Sequence, residues 1–160
     1  MNTDALKSTH APTTTPVTWH FDHVNVSMGA SHALNRLFEG VMGMQPGYRP
    51  PFPFPGLWLY AQEEAFVHAV DDPSLSASTG AVRFGHIAFR SDQSAEVLIE
   101  KLRSSGLPFR VARVPEENTA QVFVLLPGGF VVELDVPDDP NLNLDHQYRA
   151  DQASPGNHDF

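Results

Sequence analysis

The chain has 160 residues, 41% of them hydrophobic, enough for one globular domain with a core of its own. It contains no cysteine, which excludes disulfides and thiolate-held zinc or iron–sulfur sites, so any metal must sit on nitrogen and oxygen donors. A formal net charge of -9 argues against a nucleic-acid partner, and no apolar run reaches the roughly 20 residues that span a membrane.

The first residues show no charged-then-apolar signal pattern, so a cytoplasmic protein is expected. Residues 1–16 carry Thr13-Thr14-Thr15 between Pro12 and Pro16, lack apolar periodicity and read as a tail. Residues 19–27 read as a strand. Residues 32–41 read as a short helix with Ala33, Leu34, Leu37, Phe38 and Val41 on one face, Ser31 as N-cap and Gly43 as stop. Prolines at 46, 50, 51, 53 and 55 make residues 46–55 a sheet edge or an extended loop, since a central strand does not hold so many. Residues 57–61 and 66–70 are strands around a Gln62-Glu63-Glu64 turn.

A polar linker, 71–80, precedes a second series. Residues 82–89 read as a strand. Residues 95–102 read as a helix with Val97, Leu98, Ile99 and Leu102 apolar, opened by Ser94 and closed near Gly106. Residues 109–114, 121–126 and 131–136 are strands, the last two joined by Pro127-Gly128-Gly129. Residues 137–160 are rich in Asp, Asn and Pro and read as a tail that Leu142, Leu144 and Tyr148 can dock in part. The domain therefore spans 17–136, as modules 17–72 and 80–136.

The order β-α-β-β-β occurs twice, and the sequence repeats with it. Phe21-Asp22-His23-Val24 aligns with Phe84-Gly85-His86-Ile87 at an offset of 63, and Val67-His68-Ala69-Val70 with Val132-Glu133-Leu134-Asp135 at an offset of 65. His23 and His86 are thus repeat equivalents, and so are His68 and Glu133. Duplicated positions that each offer a metal-ligand side chain point to one site built by two modules. Strand alternation agrees. Val24 and Val26 would lie under the first helix, Ile87 and Phe89 under the second, with Val67, Ala69, Val132, Leu134 and Val136 on the same covered side. His23, His86, His68 and Glu133 then share the open face, together with Asn25, Phe66 and Asp135.

The Phe-Asp-His-Val, Gly-His-Ile-Ala-Phe and Val-Glu-Leu-Asp segments, with Gly106-Leu107-Pro108-Phe109-Arg110 and the later Pro-Gly-Gly turn, resemble the vicinal oxygen chelate superfamily. This group contains glyoxalase I, bleomycin-resistance proteins, methylmalonyl-CoA epimerase and extradiol dioxygenases. The resemblance covers 17–136. It implies an α+β fold of two paired βαβββ modules forming a curved, half-open barrel. The family's ligand positions fall on His23, His68, His86 and Glu133, implying one divalent metal (Fe, Mn, Ni, Co or Zn) and a small-molecule substrate with vicinal oxygens. It also implies a homodimer. Many relatives have Asp-Pro-Asp-Gly at the last turn, where this chain has Leu126-Pro127-Gly128-Gly129.

Three activities follow from the resemblance. Four ligand-type residues favour Lewis-acid-assisted proton transfer or lyase chemistry, with His68 and Glu133 as catalytic candidates. Three ligands with His68 as an acid/base group would match an Fe(II) extradiol-type dioxygenase, although residues 121–126 lack the tyrosine usual there. The third is a metal-free drug- or metabolite-binding protein of the bleomycin-resistance type. His68 is left as ligand, acid/base group or hydrogen-bonded wall of the cavity. A single ion can serve both His23 and Glu133 only if they lie within roughly 8 Å. Asp135 is a partner for a ligand or a solvated strand end. Trp58, Tyr60, Phe52, Phe54 and Phe123 line a pocket or form ordinary core, and Arg49 and Arg113 are candidate clamps for an anionic group. His20 reaches the site only through a bulge, and His10, His32, His146 and His158 read as solvated.

Overall fold

The computed structural model describes residues 16–29, 32–75 and 80–142. The first module runs β1 (His20–Met28), α1 (His32–Asn35, continued by a π-helical turn Arg36–Val41), β2 (Gln45–Pro46), β3 (Gly56–Ala61) and β4 (Glu64–Asp71). The second runs β5 (Val82–Arg90), α2 (Ala95–Ser105), β6 (Phe109–Arg113), β7 (Thr119–Leu126) and β8 (Phe130–Pro137). All eight strands join one sheet in the order β2-β3-β4-β1-β5-β8-β7-β6. Two copies of one four-strand block meet at an antiparallel β1–β5 seam. β1 is parallel to β4, as β5 is to β8. β2 and β6 end the sheet without pairing to each other, which leaves the curved barrel half open. The register repeats as the sequence does: Asn25 faces His68 across β1–β4, and Ala88 faces Glu133 across β5–β8.

Each module buries its core between sheet and helix. Leu98, Ile99 and Leu102 of α2 pack on Val111, Val122, Val124 and Val136. Each such side chain contributes about 1.5–3 kcal/mol by leaving water. Ser94 stands at the N-cap in an extended conformation, and Gly106 ends the helix at φ 70, a left-handed conformation that only glycine adopts freely. Leu34 and Phe38 pack on Val26, Met44, Leu59, Val67 and Ala69. Among the described residues no helix is long and apolar enough to cross a membrane.

Several expected faces differ. Ala33, Leu37 and Val41 are exposed. The turn Arg36–Val41 is wound i→i+5, with Met42 N–H donating to Leu37 C=O at 2.9 Å, and the wider turn carries Val41 off the apolar stripe that a regular helix would keep. Val97 is exposed on α2. Ile87 and Phe89 are half-buried and stand outside the core of α2, which draws on β6, β7 and β8. The β3–β4 register shifts between Leu59 and Ala61, and Phe66, expected beside His68, stacks on Phe21 at 6.1 Å and packs at the margin of the helix-side core.

The expected C-terminal tail is partly structured, since Leu142 packs against the second core. Leu144, Tyr148, Ser31, His10, His146 and His158 lie outside the described residues, as does the side chain of His32.

Candidate metal centre

β1, β5 and β8 bring three donor side chains to one point. His23 Nε2 lies 3.4 Å from His86 Nε2 and 3.9 Å from Glu133 Oε2. His86 Nε2 and Glu133 Oε2 are 2.6 Å apart. All three residues are buried to 2% exposure or less, where an unsatisfied polar group is costly. Two donors bound about 2.0–2.2 Å from one ion at near-tetrahedral or octahedral angles lie roughly 3.0–3.5 Å apart. The observed separations bracket that range. Two imidazole nitrogens and one carboxylate oxygen are the donor set of a first-row divalent ion, so the residues fit the expected metal.

The strand next to Glu133 orients it. Gln121, opposite Asp135 in the β7–β8 ladder, donates its amide to Glu133 Oε1, which leaves Oε2 for the histidines. Asp135 also hydrogen-bonds Glu133. Burial alone would raise the Glu133 pKa, but the neighbouring imidazoles of His86 and His23 and the hydrogen bonds with His86 and Asp135 hold it below the usual carboxylate range. Burial and the Glu133 charge push Asp135 the other way, well above its ordinary value. Burial also lowers His86 against the pull of Glu133, which favours the neutral imidazole that a metal requires. Asp22 Oδ1 lies 3.6 Å from His23 Nδ1.

His68 stands beside this group. Donor atoms within 4.8 Å of one another form two groups among the described residues, His23–His86–Glu133 and Asp22–His23–Asp135, and His68 belongs to neither. Its ring is held between two others, 3.5 Å from the His23 ring and 3.7 Å from Trp58, the latter at an interplanar angle of 2°. Burial, followed by the charges of His23, His86 and Arg49, lowers its pKa well below the ordinary value, and it hydrogen-bonds the Ala65 backbone.

Two cavities meet at this stack. One of about 30 Å³ is lined by the three donors together with Asn25, Arg49, Phe52, Phe54, Trp58 and Phe123. The other, about 390 Å³, shares His23, Trp58, His68 and Gln121 with it and continues past Asp22, Arg90, Asp92 and Glu117.

Comparison with protein-family models gives no match, and neither does comparison with curated protein sequences. Solved structures do match. The Mn(II)-bound glyoxalase of Novosphingobium aromaticivorans superimposes with a TM-score of 0.53 at 16% identity, over 77% of this chain and 42% of that one. The methylmalonyl-CoA epimerase of Mycobacterium tuberculosis gives 0.52 at 19% identity, over 74% and 88%. The 2,3-dioxygenase LapB of Pseudomonas sp. KL28 gives 0.55 at 16% identity, over 74% and 41%. The chain has the vicinal oxygen chelate fold. It spans about two fifths of the glyoxalase and dioxygenase chains and most of the epimerase.

Within this fold the other candidates separate. Phe123 is buried opposite Glu133, its ring edge-on to His86 at 5.5 Å. Phe52 and Phe54 stack at 5.4 Å and, with Arg49, bring the proline-rich segment to the small cavity. Tyr60 points elsewhere, its hydroxyl donating to Tyr48 C=O at 2.8 Å. Arg113 is ion-paired with Asp138 and lines neither cavity. His20 is exposed on β1 opposite Arg90. Gln121 was not anticipated from the sequence. Its place two residues before Phe123, and so on the same strand face, was the available signal. Asn25 was placed on the open face without a role; it is buried, and its Oδ1 has no hydrogen-bond partner among the described residues.

Proposed function

We propose that His23, His86 and Glu133 hold one divalent cation and that the protein is a metal-dependent enzyme acting on a small substrate with two vicinal oxygens. The convergence of three buried N and O donors, with His23 and Glu133 3.9 Å apart, carries this reading. The bound cation would supply Lewis-acid polarisation of the chelated oxygen pair. Gln121 and Asp135 keep the Glu133 carboxylate in one orientation while the reaction proceeds. His68 is the acid/base group. The His23–His68–Trp58 stack fixes its ring, and burial keeps it neutral. With one ring nitrogen engaged by the Ala65 backbone, the other is left to take a proton from the substrate carbon or oxygen beside the metal. Trp58, Phe52 and Phe123 exclude water from that transfer. The favoured reaction is proton transfer or elimination, on the ground that residues 121–126 carry no tyrosine.

A second reading, an Fe(II) extradiol-type dioxygenase, is favoured by one observation: the convergent set is two histidines and one carboxylate, with His68 outside it. The two are separated by loading metal-free protein with Mn²⁺, Co²⁺, Ni²⁺, Zn²⁺ or, anaerobically, Fe²⁺. Proton-transfer chemistry predicts oxygen-independent turnover of a vicinal dicarbonyl adduct or a thioester with several of these ions. Oxygen uptake with a catechol that depends strictly on Fe²⁺ reverses the order. Protein purified without chelator or metal-affinity tag should carry near one metal per chain, and tight binding of an unaltered ligand by metal-free protein would replace both readings with sequestration.

A further inference from the structure

Arg49 and Arg113 are 64 residues apart, between the two repeat offsets, and stand at or just beyond equivalent edge strands, β2 and β6. Their surroundings differ. Arg113 is neutralised by Asp138 and donates to Asp139 C=O at 3.2 Å. Arg49 forms no ion pair among the described residues. Its Nη2 donates to Phe54 C=O at 3.0 Å, and its guanidinium carbon lies 5.1 Å from the ring centres of both Phe52 and Phe54. Its Nε is buried without a hydrogen-bond partner. The prolines after β2 turn the chain inward here, and Arg49 lines the same small cavity as His23, His86 and Glu133.

A guanidinium offers five N–H donors in a planar fork, and this one spends one of them within the protein. The aromatic rings attract it through their faces, an arrangement that leaves N–H groups at the edge for a planar acceptor. Burial disfavours the Arg49 cation, the charge of Asp71 favours it without forming an ion pair, and the guanidinium cannot shed its proton. The adjoining space, about 30 Å³, holds about two water molecules, close to the size of one carboxylate. The larger cleft, reached past His68 and Trp58, takes the remainder of the molecule. That cleft is lined by Asp22, Asp92 and Glu117, with Arg90 already paired to Glu64 and Asp22, so nothing there competes for the anion.

We propose that Arg49 is the anion-recognising residue of the site and that the substrate carries a carboxylate that supplies one of its two vicinal oxygens, as in a 2-oxo or 2-hydroxy acid. This rests on the metal-centre reading and narrows its substrate class. Arg49 is a binding and specificity residue here; the proton is moved elsewhere.

The test uses the full chain loaded with Mn²⁺ and two probes, pyruvate and its neutral analogue butane-2,3-dione, titrated calorimetrically into wild type, R49Q and R113Q. Wild type should bind pyruvate at least about 10-fold tighter than the dione. R49Q should lower that preference at least about fivefold, leaving only what the carboxylate gains at the cation, while binding the dione within about twofold of wild type, and R113Q should keep it. Equal discrimination in wild type and R49Q, or a loss in R49Q that is matched for both probes, overturns the proposal; a matched loss would mean that Arg49 only braces the proline-rich segment. R49K checks folding, since it keeps the charge but not the fork. Metal content is measured separately. If the chain takes up no Mn²⁺ the metal reading fails, and the same comparison in metal-free protein, read by tryptophan fluorescence, still decides for or against Arg49.

Discussion

The two modules place the same backbone positions around the site and fill them with opposite chemistry. Trp58 faces His68 across β3–β4, and Phe123 faces Glu133 across β7–β8. Two residues before each aromatic, Gly56 faces Val70 and Gln121 faces Asp135. A β-carbon at Gly56 would sit 2.4 Å from the Ala69 carbonyl oxygen, so the first module has no room for a side chain where the second carries its amide. The first module therefore surrounds an imidazole with ring faces, and the second surrounds a carboxylate with hydrogen-bond partners. Each answers the needs of its own group. A neutral imidazole in a dry site is stabilised by stacking, whereas a buried carboxylate must have its lone pairs met. Duplication sets where side chains stand, and the ladder neighbour sets what each can do.

The largest break in that comparison is Glu133→Ala. It removes the carboxylate and with it the Oε1 acceptor that Gln121 meets, while Gln121 keeps its contact with Asp135. Metal affinity should fall by more than about 100-fold, with occupancy in purified protein dropping from near one per chain to a trace. Metal analysis beside circular dichroism separates this from unfolding. Stoichiometric metal in a folded E133A protein would remove Glu133 from the donor set.

His68→Ala tests the other half. As an acid/base group held outside the donor set, its loss should leave occupancy intact and lower turnover by roughly 10²–10⁴. A fall of more than about 100-fold in metal affinity, as expected at Glu133, would instead make it a ligand. A variant unchanged in both would remove both roles.

Gln121→Leu asks whether the polar bracket matters as the geometry implies. The Glu133 Oε1 atom then loses its donor while Oε2 still faces the histidines. Metal affinity should fall roughly 10–100-fold with the fold retained, since outer partners of a ligand typically contribute that much. Competition with a metallochromic chelator gives the number, and an unchanged constant would show that Asp135 alone is enough to orient the carboxylate.

Much of this was legible because the signals were local or duplicated. Period-two alternation placed His23, His86 and Glu133 on one face, and the repeat offsets tied them together without a distance. Other features depended on nonlocal pairing. Gln121 acquires its role only when β7 lies antiparallel to β8, bringing it opposite Asp135 and within reach of Glu133. The separation of His68 from the donor group depends on the position of the Trp58 ring, which strand alternation does not fix. Ile87 and Phe89 were misplaced because alternation names a face without saying which helix covers it. Arg49 and Arg113 looked alike in sequence, and only the inward turn of the proline-rich segment and the docking of Asp138 tell them apart.

The smallest expected effect lies at the helices, where the modules also diverge. Leu37 and Val41 look like members of an apolar stripe, yet at the repeat offset of 63 the second module carries Glu100 and Ser104. The structure agrees with the second module. Leu37 is 49% exposed, because the π turn rotates it away from the Leu34–Phe38 face. Leu37→Gln should therefore change stability by less than about 0.5 kcal/mol, the ordinary scale for a surface substitution. Had Leu37 been buried against Val67 and Ala69, the same change would cost at least the roughly 1.5–3 kcal/mol of its transfer from water. Urea denaturation resolves the two. A loss on the larger scale that disappears on dilution would place Leu37 in a contact between chains, and one independent of concentration would mean that the segment winds as a regular helix in solution.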